Sequence, residues 1–215
     1  MATYVLIHGA GSDAWYWHLV APRLRALGHD VVAVDLPCED DAAGLGEYAA
    51  AVIDAVGDRH ELILVAQSLG GFTAPLVCDR LPVRLLVLLA AMVPRPGESA
   101  GDWWANTGHE LPDPFDPAVV FAHDLPTGLA AASLEHVRQQ SGTPFEQPWP
   151  LAAWPDVPTR FLLCRDDRFF PAEFQRRVVA ERLGIVPDEM DGGHLPALAR
   201  PDELVQRLEA YRAEL

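Results

Sequence analysis

A serine within a run of small residues is the first feature of the chain that could carry chemistry. Residues 66–71 read AQSLGG and join the apolar segment Leu62–Ala66 to a helical pattern. A serine at a sharp turn from strand to helix has an exposed hydroxyl, and the first amides of the helix converge near it. Ser68 is therefore predicted to be a nucleophile.

Two later segments contain the residue types that activate a serine. His194 follows two glycines in the segment DGGH, and a loop imidazole can accept a hydroxyl proton. The adjacent carboxylates Asp166 and Asp167 follow the apolar segment Arg160–Leu163, and a carboxylate can orient an imidazole. The residues occur in the chain order serine, aspartate, histidine.

Short apolar strands that alternate with amphipathic helices must position these residues. This alternation predicts an α/β fold with a mainly parallel sheet and helices on both faces. The predicted strands are Tyr4–Ile7, Val31–Val34, Leu62–Ala66, Leu85–Ala90, Arg160–Leu163 and Ile185–Met190. The predicted helices are Trp15–Leu27 after the cap Asp13, Tyr48–Val56, Leu69–Arg80, Ala172–Leu183 and Pro201–Ala213, with Gly28 and Gly184 as left-handed C-terminal caps.

The alternation breaks between residues 94 and 158, where eleven of the nineteen prolines occur. Helical stretches are predicted there at Ala100–Asn106, Pro117–His123 and Leu129–Gln140. Unstructured loops of this length are uncommon in a compact domain, so the segment is predicted to be a small helical lid. We therefore expect one domain over residues 1–215 with a lid insertion at about residues 94–158.

Together these motifs resemble the α/β-hydrolase superfamily. Its nucleophile elbow reads G-x-S-x-G, and here Ala66 replaces the first glycine. The resemblance implies Ser68 as nucleophile and His194 as base. It also implies Asp167 as the acid, because the family places this residue four positions before a helix-starting proline, here Pro171.

The resemblance extends to the segment HGAG that follows the first strand. In the family, one backbone amide of this loop and the amide after the nucleophile form an oxyanion hole, and these map onto Ala10 and Leu69. For substrate binding we expect Trp103 and Trp104 of the lid and Phe169 beside the acid, because aromatic residues could wall an apolar pocket.

Within the superfamily, the chain looks most like the group of small plant-type esterases, hydroxynitrile lyases and their bacterial relatives. The lyases have a threonine after the first-strand histidine and a lysine after the catalytic histidine. Here these positions are Gly9 and Leu195, which favours hydrolysis of a small or medium, mostly apolar carboxylic ester. Two alternatives stay open: the same triad could serve thioester, C–C bond or cyclisation chemistry, or the protein could bind a small ligand without catalysis.

Charge, cysteine content and the N-terminal segment indicate which partners, cofactors and location to expect. The formal net charge is −15 at pH 7, which disfavours nucleic acid and anionic membranes as partners. The three cysteines are far apart and lack metal-ligand spacing, so we expect no disulfide framework, no metal and no cofactor. No signal-like segment precedes the first strand, which indicates a cytoplasmic location. The expected partner is a small ester, with the protein as a monomer or homodimer.

Overall fold

A six-stranded parallel sheet forms the centre of the protein, and the computed structural model describes all 215 residues. The strands lie in the order β2-β1-β3-β4-β5-β6, and every neighbouring pair is parallel. The predicted α/β class and parallel sheet are therefore confirmed. The strands are β1 (Thr3–Ile7), β2 (Asp30–Val34), β3 (Leu62–Gln67), β4 (Val83–Leu89), β5 (Thr159–Cys164) and β6 (Asp188–Met190).

Ten α-helices accompany the sheet, and two of them, α8 and α10, have the bounds predicted from sequence. A parallel sheet needs apolar cover on both faces, because its crossover helices pack on either side. The helices are α1 (Ala21–Ala26), α2 (Leu45–Val56), α3 (Gly70–Cys78), α4 (Ala100–Thr107), α5 (Pro117–Val120), α6 (Thr127–Glu135), α7 (Thr143–Glu146), α8 (Ala172–Leu183), α9 (Pro196–Ala199) and α10 (Pro201–Ala213).

Alternate residues of the central strands enter two separate hydrophobic layers. In β3, Leu62 and Leu64 pack with residues of α2, α3 and α8, whereas Ile63 and Val65 pack with residues of α1 and α10. Because successive side chains of a strand point to opposite faces, a continuous apolar run supplies both layers at once. This explains why β3 lacks the alternating polarity of a half-exposed strand.

The predicted single helix over Trp15–Leu27 is wrong. A 3-10 helix over Ala14–Trp17 comes first, and α1 starts only at Ala21. Pro22 lacks an amide donor and is favoured in the first turn of a helix, which is where α1 places it. The predicted cap is present, because the Asp13 carboxylate accepts a hydrogen bond from the first turn of the 3-10 helix.

The segment of residues 94–158, which we call the insertion, contains α4 to α7 between β4 and β5. Two predicted helices are shorter than expected, because the second ends at Val120 and the third at Glu135. One tryptophan indole attaches the insertion to the rest of the chain (residues 1–93 and 159–215), which we call the sheet domain, and a second one bonds the first residue of the insertion. The indole N–H of Trp149 donates to the carbonyl of Phe72 at 3.1 Å, and that of Trp154 donates to the carbonyl of Pro94 at 3.0 Å.

The cysteines and the apolar character of the helices are two further features of the fold. Cys38, Cys78 and Cys164 are buried and are not joined by disulfides. Burial raises the pKa of the Cys78 thiol to about 12, so this cysteine is an inert thiol. None of the helices combines the length and apolar character needed to cross a bilayer.

Candidate active site

The predicted nucleophile lies at a strained turn between β3 and α3. Ser68 has φ of +51°, in the left-handed region that non-glycine residues rarely adopt. Such a conformation costs on the order of 1–3 kcal/mol and persists only where surrounding structure enforces it. Gly71 is part of that enforcement, because a Cβ at this position would lie 1.9 Å from the carbonyl oxygen of Met92. Gly71 was not predicted from sequence to make this close approach.

The structure brings the three predicted triad side chains into one hydrogen-bonded chain. Nδ1 of His194 lies 2.8 Å from Oδ2 of Asp167, and its Nε2 lies 3.1 Å from Oγ of Ser68. An ionised carboxylate only accepts hydrogen bonds, so Nδ1 carries the proton and Nε2 accepts from the serine hydroxyl. This arrangement can transfer the hydroxyl proton to the imidazole.

Asp167 is held as a buried acceptor at the end of β5. Its Oδ1 accepts hydrogen bonds from the backbone amides of Phe169 and Phe170, both at 2.8 Å. Asp167 is 4% exposed, and a buried carboxylate requires such partners. The neighbouring Asp166 is exposed and instead accepts from the amide of Gly192 at 3.2 Å.

Two polar side chains that the sequence analysis missed support the histidine loop. Nε2 of Gln67 donates to the carbonyl of His194 at 3.0 Å, and the amide of Gly193 donates to Oδ2 of Asp124 at 2.7 Å. Asp124 belongs to the insertion, 69 residues before the glycine that it binds. No local sequence signal could have found this contact, because it joins distant parts of the chain.

Aromatic rings surround the imidazole of His194. The ring centroids of Phe169, Phe170 and Phe121 lie 5.0, 5.1 and 5.5 Å from that of the histidine. These contacts restrict the ring to the orientation in which it bonds both of its partners. A fixed ring avoids reorganisation when the proton moves.

The two predicted oxyanion-hole amides follow neighbouring strands. Ala10 comes after β1 and Leu69 after β3, and these two strands are neighbours in the sheet. The strand order switches between them, because β2 lies on one side of β1 and the later strands lie on the other. Folds of this kind bind ligands at such a switch point. Both residues line one cavity. Neither amide donates to a protein acceptor, so both are free to bind a ligand oxygen.

His8 shapes the loop that carries Ala10. The amide of Leu36 donates to Nε2 of His8 at 3.2 Å, so Nδ1 carries the proton and donates to the carbonyl of Gly9 at 2.8 Å. Burial lowers the pKa of His8, which keeps the ring neutral and the second nitrogen an acceptor. His8 is therefore a structural residue of the loop.

An apolar cavity of about 430 Å³ opens onto Ser68 and His194. Hydrophobic residues make up 14 of the 22 that line it, so it suits a mostly apolar ligand. The predicted pocket residues Trp104 and Phe169 line this cavity. Trp103 does not, and that prediction is wrong: its side chain is 1% exposed within the core, and its indole donates to the carbonyl of Val93 at 3.1 Å.

Other lining residues were not predicted. Trp15 and Tyr16 of the 3-10 helix face the cavity, and so does His136 of the insertion. The imidazole of His136 stacks on the Trp15 ring with centroids 4.2 Å apart, and its Nδ1 lies 2.9 Å from a carboxylate oxygen of Asp13. These contacts attach the insertion to the first loop of the sheet domain.

Known proteins similar to this chain share its architecture. The model of the "Alpha/beta hydrolase family" matches residues 4–207. In the crystal structure of polyneuridine aldehyde esterase, the fold is shared with a TM-score of 0.86 over 99% of each chain, at 20% sequence identity. This likeness concerns the fold.

Curated relatives are similar over different parts of the chain. The probable esterase PIR7A of Oryza sativa subsp. indica is 38% identical over 112 residues, which cover 46% of this chain and 42% of that protein. Norfluorocurarine synthase 1 of Strychnos sp is 25% identical over an alignment of 250 positions, which covers 96% of this chain and 93% of that protein. Because the family model matches from β1 into the last helix, the chain belongs to the alpha/beta hydrolase family.

Proposed function

We propose that this protein hydrolyses carboxylic esters, with Ser68 as nucleophile, His194 as general base and acid, and Asp167 as the residue that orients the imidazole. The observation that carries the proposal is the hydrogen-bonded chain from Asp167 through His194 to Ser68, which ends at an apolar cavity. The esterase names of similar proteins support the same reaction class.

In the first half of the proposed reaction, Oγ of Ser68 attacks the ester carbonyl carbon as its proton moves to Nε2 of His194. The carbonyl π electrons move onto oxygen, and the amides of Ala10 and Leu69 stabilise the negative charge. Each such donor contributes a factor of about 10²–10³ to the rate. Collapse of the adduct breaks the ester C–O bond, and the imidazolium protonates the departing alkoxide.

The second half releases the acid. A water molecule gives a proton to Nε2 of His194 and attacks the acyl carbon of the intermediate. The bond to Ser68 then breaks, its oxygen takes the proton back from His194, and the carboxylic acid leaves. Asp167 stabilises the imidazolium in both halves without accepting its proton.

The substrate that fits the cavity is uncharged and small to medium in size. No Asp, Glu, Lys or Arg side chain lines the cavity, so a charged group would be desolvated there without an ionic partner. Aromatic side chains, including Trp104 and Phe169, offer flat apolar contact surfaces. An apolar ester therefore binds more favourably than an ionised one.

We further propose that the insertion serves as the lid of a single domain. Phe121, His136 and Phe145 belong to the insertion and line the cavity, so this segment supplies walls that the sheet domain lacks. A cover of this kind excludes water from the reacting groups and strengthens the electrostatic interactions within the site.

The substitution Ser68→Ala tests the nucleophile. We expect it to abolish turnover of a short-chain aryl ester while the melting temperature stays within a few degrees of wild type, because only one hydroxyl is removed. Ser12→Ala, which removes another hydroxyl that lines the cavity, is the matched control and should keep measurable turnover. Undiminished activity of the Ser68→Ala protein would contradict the proposal.

A second candidate reaction uses the same triad on a different substrate. The similarity to a protein named norfluorocurarine synthase 1, over 96% of this chain, favours chemistry on a biosynthetic intermediate. Thioester, C–C bond and cyclisation reactions are the ones that the same triad could serve. The experiment above separates the two if an organophosphorus probe is added. Labelling of Ser68 in a protein that hydrolyses no ester in a broad panel would favour this candidate.

A further inference from the structure

We propose that Gln140, a residue of the insertion, is a positioning residue for the oxyanion hole. The inference rests on the proposed ester hydrolysis, because it concerns the amide of Ala10. It assigns to the insertion a role in the chemical step in addition to covering the cavity. Gly11 follows Ala10 directly in the chain.

Both backbone polar groups of Gly11 are bonded to the insertion. The amide of Gly11 donates to Oε1 of Gln140 at 3.0 Å, and the amide of Arg138 donates to the carbonyl of Gly11 at 2.9 Å. Gly11 has φ of +60°, and a Cβ there would lie 3.1 Å from the carbonyl oxygen of Arg138. The loop therefore fits closely against residues 138–140.

The side-chain amide of Gln140 is itself fixed. Its Nε2 donates to the hydroxyl of Tyr48 at 3.0 Å and to the carbonyl of Ser141 at 2.9 Å. With both donors and the oxygen in use, only one orientation of the amide satisfies all three bonds. Tyr48 is 1% exposed within α2, so the anchor belongs to the rigid core of the sheet domain.

Ala10 is thereby held between two fixed neighbours. On one side His8 bonds the carbonyl of Gly9 at 2.8 Å, and on the other side Gln140 bonds the amide of Gly11. Ala10 is exposed and makes no hydrogen bond to the protein through its own amide. The direction of the Ala10 N–H is therefore set by these neighbours. A hydrogen-bond donor stabilises a developing charge only if the donor already points at that charge.

Gln140 does not line the cavity, so it is placed to affect the chemical step without contacting the substrate. Misplacing a catalytic group by about 1 Å can reduce a rate by about 10²-fold. For Gln140→Leu, which keeps the volume and removes the three bonds, we expect kcat to fall by about 10- to 100-fold, with KM changed by less than about threefold.

Gln139→Leu is the matched control, because Gln139 is exposed and its side chain makes no hydrogen bond. We expect its kcat and KM to remain within about twofold of wild type, as is usual for an exposed site. An unchanged kcat in Gln140→Leu, or an equal loss in both variants, would overturn the inference.

Inhibitor binding distinguishes positioning of the oxyanion hole from general disturbance. A trifluoromethyl ketone adds to Ser68 and places a negative oxygen in the hole, whereas the matching non-fluorinated alcohol only fills the cavity. We expect the affinity of Gln140→Leu for the ketone to fall in proportion to kcat/KM, while its affinity for the alcohol is unchanged. An equal loss of both affinities would show a deformed cavity and overturn the proposal.

Tyr48→Phe keeps the test decisive if Gln140→Leu does not fold. Removing this hydroxyl frees one donor of Gln140 and leaves the contact to Gly11, so we expect the same pattern with a kcat loss of about 2- to 10-fold. A Tyr48→Phe protein with full kcat and full ketone affinity would then overturn the inference. Activity in Ser68→Ala would instead contradict the proposed function, so the two failures are distinguishable.

Discussion

In the proposed reaction centre, hydrogen bonds fix the orientation of single side chains. Asp167 illustrates this, because one carboxylate oxygen accepts two backbone amides and the other faces Nδ1 of His194. A buried carboxylate fixed in this way selects one tautomer of the imidazole, and that tautomer leaves Nε2 free to accept a proton from Ser68. The ability of His194 to accept the serine proton therefore depends on which of its two ring nitrogens carries the hydrogen.

Asp167→Asn tests this dependence directly. The amide group is nearly the same size but can donate to Nδ1, so it stabilises the wrong tautomer, and we expect kcat to fall by about 10³- to 10⁴-fold at neutral pH. Steady-state kinetics on the ester found for wild type would measure the loss.

Asp166→Asn provides the comparison at the adjacent position. Asp166 contacts neither Ser68 nor His194, and asparagine keeps an acceptor for the amide of Gly192. We expect activity within about threefold of wild type, as at other exposed positions. A larger loss in Asp166→Asn than in Asp167→Asn would reverse the assignment of the acid.

At the scale of secondary-structure elements, the base of the insertion is attached to α8 by a buried ion pair. The guanidinium of Arg182 contacts both carboxylate oxygens of Glu98, at 2.5 and 2.9 Å, and also donates to the carbonyl of Val93 at 2.6 Å. The two side chains are 1% and 4% exposed. Such a pair holds two elements in register because removing either charge leaves the other buried without a partner.

For Arg182→Met we expect a loss of about 3–5 kcal/mol in the free energy of unfolding, because the Glu98 carboxylate stays buried. Urea denaturation followed by fluorescence would measure it. Arg176→Met on the same helix is the control, since Arg176 is 48% exposed in its ion pair with Glu189, and we expect its unfolding curve to match that of wild type. Equal effects of the two substitutions would contradict this interpretation.

At the scale of the whole molecule, β1 and α10 are joined by a polar cluster around Glu209. The carboxylate accepts from the hydroxyl of Tyr4 at 2.7 Å, from Nε2 of His29 at 3.1 Å and from Nε of Arg212 at 3.0 Å. Burial acts to raise the pKa of Glu209, but the hydrogen bonds from Arg212, Tyr4 and His29 outweigh it and lower the pKa to about 2. The cluster therefore links the first strand to the last helix, which are about 200 residues apart in the chain.

The lowered pKa of Glu209 predicts how stability depends on pH. Folding favours the ionised form of Glu209, so this carboxylate stabilises the folded state above about pH 5, and the stabilisation is lost as pH falls toward 2. The upper bound of this stabilisation is about 3 kcal/mol. We expect Glu209→Gln to reduce the free energy of unfolding at pH 7, and the difference from wild type to shrink between pH 5 and 2.

Denaturant titrations at several pH values would measure that difference. Glu203→Gln is the control, because Glu203 lies on the same helix and makes no ion pair. A pH-independent difference between wild type and Glu209→Gln would contradict the assignment of the acid-sensitive contribution to this carboxylate.

Features that depend on neighbouring residues of the chain could be predicted from sequence alone. Apolar runs predicted the positions of β1 to β5, whereas the strand predicted over Ile185–Met190 is only Asp188–Met190. Gly28 and Gly184 adopt the left-handed backbone expected of helix-ending glycines. The elbow at Ser68 was also readable, because a strand, a small-residue turn and a helix are adjacent in the chain. These predictions succeeded because each depends on residues a few positions apart.

Contacts between side chains that are distant in sequence depend on how the folded chain packs. Trp103 and Trp104 are adjacent and chemically identical, yet one is in the core and the other lines the cavity, because successive helical residues point in different directions. The contacts of Asp124 with Gly193 and of Gln140 with Gly11 span 69 and 129 residues. Such pairings depend on how the insertion packs on the sheet, and packing is a property of the assembled chain that no local pattern encodes.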